Sequence, residues 1–160
     1  MLTLGIDPGT ASTGFGLVTE RGSKLQFIDH GVIITTPEDS SQARIRKIYH
    51  SVKDLIKNYK PTYLAIERLF FGKNTKTAMM VAHARGIVLL AAAELKIPVA
   101  EYTPLEVKVA ATGYGKADKR QVQQMVKVLL GLSFDPKPDD AADALAIAIC
   151  HHHSHKMKYL

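Results

Sequence analysis

Cysteine is almost absent: Cys150 stands alone among 160 residues. One thiol excludes an internal disulfide framework and every Cys-x-x-Cys metal or redox motif, which makes a reducing compartment the default. Long apolar runs are missing too. The most apolar stretch, "GIVLLAAAEL", follows Arg85 and reads as too short to span a bilayer. The opening "MLTLGIDPGT" lacks the basic start and extended apolar segment of a signal peptide. No repeat, linker or low-complexity block breaks the chain. These absences lead to the expectation of one cytoplasmic domain over residues 1–160, with no membrane partner.

What is present begins with ordinary proportions. A hydrophobic share of 46% and a charged share of 22% suit a globular domain able to bury its own core. The formal net charge of +6 is less ordinary. It favours a polyanionic partner, nucleic acid ahead of anionic membrane.

The hydrophobic period then changes along the chain. "LTLGID" (2–7) alternates as a strand does, "GFGLVTE" resumes after the turn "PGTAST", and "KLQFIDHGVIIT" follows the turn "RGS". Ile45, Ile48, Val52, Leu55, Ile56 and Tyr59 switch to helical spacing, which Pro61 stops. Next come a short strand "TYLAIE" (62–67), a loop "RLFFGKN", and a helix from about 75 to 95 that Gly86 weakens locally. A fifth strand "PVAEYT" (98–103) precedes helices near 104–111 and 119–131 and a last helix from Asp139. A meander followed by crossovers predicts an α/β fold: a five-stranded mixed sheet, antiparallel in strands 1–3, flanked by helices.

In such a sheet Asp7 and Glu67 end neighbouring strands at one edge, where strand order reverses and sites gather. Asp140 and Asp143, at i, i+3 on the last helix, share one face. Asp139 fits the N-cap, and Ala141, Ala142 and Ala144 leave room for that helix to approach the sheet. Four converging carboxylates would repel and raise one another's pKa values unless a cation joined them. Oxygen-only ligands favour Mg²⁺ or Mn²⁺, and two such ions ~4 Å apart suit phosphodiester hydrolysis. A turn-starting Asp7 and a solvated Glu67 are the plainer readings, and spacing alone leaves both open.

"GIDPGTASTGFGLV", "AIERLFFGKN", "ARG", "GYGKADKRQVQQMV" and "DDAADALAIAI" together resemble the RuvC family of Holliday junction resolvases, in order along nearly the whole chain. The resemblance implies a ribonuclease H-like fold and a homodimeric, Mg²⁺-dependent endodeoxyribonuclease of recombination and repair. Its substrate would be four-way junction DNA, nicked in two strands of like polarity to leave 5′-phosphate and 3′-hydroxyl ends. The family's four acids map onto Asp7, Glu67, Asp140 and Asp143, and its functional lysines onto Lys108 and Lys119. A branch-migration motor is the partner it implies.

Further residues follow from their chemistry beside that resemblance. Lys116, Arg120, Lys73 and Lys76 are candidate phosphate contacts, which fix position rather than sequence. Phe70 and Phe71 lie in the loop after Glu67, and the resemblance selects Phe70 to stack on an opened base. His151 to His153 read as a solvated helix end and Cys150 as a small packing residue. "DPGT" also resembles the phosphate loop of actin-like ATPases, but those need two such domains.

Overall fold

The computed structural model describes residues 1–70 and 75–157, so Phe71 and Lys73 lie outside the described residues. Among these the strands are β1 (Leu2–Asp7), β2 (Ser12–Arg21), β3 (Lys24–Ile34), β4 (Tyr63–Glu67) and β5 (Val99–Tyr102). The helices are α1 (Ser41–Tyr59), α2 (Thr75–Glu94), α3 (Pro104–Thr112), α4 (Lys119–Leu129) and α5 (Asp139–Met157). The sheet order is β3-β2-β1-β4-β5. β1 pairs antiparallel with β2 and parallel with β4, so the direction of the chain's progress across the sheet reverses at β1.

Alternation along the strands sends side chains to two cores. Leu4, Ile6, Leu17, Leu64 and Ile66 pack beneath α1 and α2. Val18 and Ala65 face α5, with α3 and α4 closing that side. Burial of α5 is nearly complete from Ala141 to His152, as expected for a helix apolar on most of its circumference. Its approach is unusually close because Gly5 and Gly14 lie beneath it. A Cβ on Gly5 would stand 2.1 Å from the Ala144 carbonyl oxygen, and one on Gly14 only 2.0 Å from that of Asp140. Real Cβ contacts never come so near, so only glycine fits at these two positions.

Capping fixes the remaining helices. Thr103 and Glu106 form a capping box at α3, with Pro104 in its first turn. Asp118 and Gln121 do the same for α4, which sets Lys119 as its first residue.

Three sequence expectations are corrected. Asp139 is not an N-cap: the Pro138 carbonyl accepts from the Ala142 amide, which makes Asp139 the first helical residue. The His151–His153 run is not a solvated end, since His151 and His152 are buried. Their rings reach the Tyr102 hydroxyl (2.7 Å) and the Val18 carbonyl (3.0 Å), and His153 reaches the Ala110 carbonyl (2.9 Å). Third, "GIVLLAAAEL" belongs to the 20-residue α2, which by length and composition is apolar enough to cross a membrane. Here α2 instead packs through Ala84, Val88, Ala91 and Ala92 into the core under the sheet.

Candidate active site

Register brings the acids together. Asp7 stands opposite Gly14 across the β1–β2 ladder, and the backbone of Asp140 rests on Gly14. Strand alternation puts Asp7 on the same face as Gly5, toward α5. Glu67 follows the Ile6–Ile66 pair of the parallel ladder, so it ends β4 beside Asp7 and on the face of Ala65. Oxygens of Asp7, Asp140 and Asp143 all lie within 4.8 Å of one another, a spacing suited to a shared cation. Glu67 is outside that close group but lines the same cavity, about 230 Å³, with Asp7, Asp143, Lys108 and Lys119. An all-oxygen donor set of this kind fits a hard divalent ion.

Lys119 acts as the cluster's internal counter-charge. Its Nζ lies 3.1 Å from Asp143 and 3.5 Å from Asp139, and Asp139 also accepts from the Gln123 side chain at 3.0 Å. Burial works to lower the Lys119 pKa, but Asp143 and Asp139 prevail and hold it above its usual range. Lys119 alone does not neutralise the acids. Burial, then the charges of Asp143, Asp140 and Glu67, push the Asp7 pKa up to about 8. Glu67 is raised by burial and Asp143, against Lys108. Asp143 is raised mainly by burial, against Lys119.

These shifts have one sign and one consequence. An acid with a raised folded-state pKa binds its proton more tightly folded than unfolded, so stability falls as pH rises between the two values. For Asp7 that window runs from about 4 to about 8. The metal-free protein should therefore lose thermal stability from pH 5 to pH 8, and millimolar Mg²⁺ should restore most of it at pH 8. Calorimetry at the two pH values, with and without the ion, checks this.

A second cleft of similar size shares Asp7 and Glu67 and is lined also by Arg68, Leu69, Phe70, Val81 and Arg85. Phe70 is 59% exposed, a position open to stacking. The other expected contacts are scattered. Lys116 and Lys76 are exposed, and neither lines the acid-walled cavity. Arg120 lines a separate groove with Gln123, Lys137 and Asp139. The sequence does not single out Gly14, which only opens the second strand "GFGLVTE" after the turn. Its one signal is that glycine is an unfavourable strand residue.

Carboxylates at the ends of the first and fourth strands and on a helix against the same sheet face define a ribonuclease H-like fold. The yeast mitochondrial Holliday junction resolvase Ydc2 shares it, with a TM-score of 0.69 at 15% identity over 99% of this chain and 84% of that one. A family model, crossover junction endodeoxyribonuclease RuvC, matches residues 3–151, and the chain belongs to that family. It is 56% identical over 151 residues to the crossover junction endodeoxyribonuclease RuvC of Desulforamulus reducens, covering 94% of this chain and 93% of that protein. The structure of Thermus thermophilus RuvC in complex with Holliday junction substrate superposes with a TM-score of 0.94 at 37% identity, covering 99% and 96% of the two chains.

Proposed function

We propose that this chain resolves four-way DNA junctions by paired, symmetrical nicks that leave 5′-phosphate and 3′-hydroxyl ends, acting as one nuclease domain over its whole length. The observation that carries the reading is the convergence of Asp7, Asp140 and Asp143 oxygens within 4.8 Å, beside Glu67 and two lysines. Asp7, Glu67, Asp140 and Asp143 would hold two Mg²⁺ ions, with Mn²⁺ able to substitute. The ions would supply an activated water and charge stabilisation on the leaving oxygen.

The chain's own residues do the positioning. Asp7 and Asp140 are set by the β1–β2 ladder and Gly14, which makes their geometry as rigid as the sheet. Lys119 is anchored between Asp139 and Asp143 and presents its ammonium to the phosphate whose charge grows in the transition state. Lys108, across the cavity, offers a second phosphate contact. Phe70 stacks on a base opened near the crossover, while Lys73, Lys76, Lys116 and Arg120 hold the arms of the junction.

A homodimer suits a substrate with approximate two-fold symmetry. Support comes from the outer side of α2, where Met79, His83, Gly86, Leu90 and Ala93 are all exposed. Their spacing of four, three, four and three is that of a coiled-coil seam, and Gly86 and Ala93 leave room for close approach. Leu90→Glu should therefore sediment as a monomer, with each arm of the junction bound more weakly and the two nicks no longer coupled. A cytoplasmic location and a branch-migration motor partner complete the reading, on family grounds.

The test is direct. Mg²⁺ added to the protein and an end-labelled four-way junction should give two symmetrical nicks, ligatable without processing, while linear duplex of the same sequence stays intact. Equal cutting of the duplex, or binding without cutting, sinks the proposal.

A further inference from the structure

The "ARG" run at 84–86 has one residue whose part in the site is still unassigned. Ala84 is buried beneath the sheet and Gly86 lies on the exposed seam. Arg85, between them, points to the strand ends. Its Nε donates to the backbone carbonyl of Glu67 at 3.3 Å, and its Nη2 pairs with the Glu101 carboxylate on β5 at 2.5 Å. The side chain is only 17% exposed and lines the Phe70 cleft with Asp7 and Glu67. Five residues earlier on α2, the Met80 carbonyl accepts from Thr10 Oγ1 at 2.8 Å. Both strand ends that supply acids, the one after Asp7 and the one at Glu67, are thus hydrogen-bonded to α2.

We infer that Arg85 is a positioning residue: its guanidinium fixes how the end of β4 presents Glu67 to the three aspartates, and couples that presentation to the helix whose outer face carries the seam. The inference rests on the nuclease reading above. Glu67 is the acid for which such control matters, because it alone of the four stands outside the close oxygen cluster. Asp7 and Asp140 are held by the sheet and by α5 lying on Gly14. Glu67 ends a five-residue strand, and its backbone carbonyl accepts from Arg85. A planar fork bonded to two strands at once resists rotation in a way that a single ammonium does not.

The plainer role is an ion pair that adds stability and nothing else, and Arg85→Lys separates the two. Lysine keeps a cation for Glu101 but lacks the rigid second arm for the Glu67 carbonyl. Four quantities are measured on the full chain: the thermal midpoint, junction affinity in EDTA, Mn²⁺ affinity by titration calorimetry, and single-turnover cleavage. Arg85→Lys should fold and bind junction as the parent does. It should bind Mn²⁺ about 10-fold more weakly and cleave ~10–100-fold more slowly, the range typical of lost support behind metal ligands. Glu101→Gln, which leaves Arg85 in place but frees its other arm, should show a smaller loss of Mn²⁺ affinity. Parent-like Mn²⁺ affinity and cleavage in Arg85→Lys overturn the inference. If that variant does not fold, parent-like Mn²⁺ affinity in Glu101→Gln does so alone. Failure of the parent chain to cut junctions removes the nuclease reading instead, while the Mn²⁺ affinities still judge Arg85.

Discussion

Asp7→Asn is expected to abolish junction cleavage and at the same time to stabilise the metal-free protein. The two effects share one cause. Asp7 sits where burial and three neighbouring acids disfavour its charge, which is tolerable only because a divalent cation can answer it. The amide cannot ligate in the same way, so the cleavage rate should fall by ~10³-fold or more. Without metal, however, the substitution removes a disfavoured buried charge. At pH 8 it should gain on the order of 1–3 kcal/mol, and each kcal/mol is worth about 2–4 °C in a chain of this size. The gain should shrink at pH 5, where the parent's Asp7 is already protonated. Calorimetry in EDTA at both pH values reads the stability, and a gel-shift assay should find junction binding intact. A variant that cuts normally, or one destabilised at pH 8, contradicts this.

Gly14→Ala is the second large effect, and it touches no acid. The new methyl group would lie 2.0 Å from the Asp140 carbonyl oxygen and 2.3 Å from its carbon, both backbone atoms that no side-chain rotation can move. The start of α5 must lift by about 1 Å or more to restore van der Waals distance. A misplacement of that size is enough to lower turnover ~10²-fold. The strain should also lower the thermal midpoint, because Ala141, Ala142 and Ala144 lose their packing on the sheet. Gly5→Ala provides the comparison: it meets the Ala144 carbonyl at 2.1 Å, one turn past Asp140 and next to Asp143. It should destabilise as much and also slow cleavage, through Asp143 rather than Asp140. Parent-like cleavage by Gly14→Ala would mean that the placement of Asp140 is not what Gly14 protects.

Much of this site was legible from residue order. The period-2 alternation of β1 and the stop at Glu67 were enough to put two acids at one sheet edge, and the i, i+3 pair on α5 followed from helix geometry. Less legible were the features that depend on how closely two elements meet. Gly14 looks like any strand glycine until Asp140 is seen lying on it. Asp139 looked like a cap because capping residues and first-turn acids draw on the same side chains. The Pro138 carbonyl takes the first helical bond instead, leaving Asp139 free to hold Lys119. The histidines after Cys150 have polar side chains, and only their partners Tyr102, Val18 and Ala110 explain why they lie inside. Arg85 belongs to the motif "ARG", which by itself assigns it no task. Its task involves Glu67 and Glu101, one 18 residues before it and the other 16 after.

Cation binding among Asp7, Asp140 and Asp143 underlies the proposed chemistry, and anomalous scattering from a Mn²⁺-soaked crystal reads it directly. The expected result is a peak within ligand distance of all three carboxylates, with any second peak on the Glu67 side of the same cavity, and neither present in Asp7→Asn. A crystal whose Mn²⁺ sits elsewhere, with Lys119 still bridging Asp139 and Asp143, would contradict it.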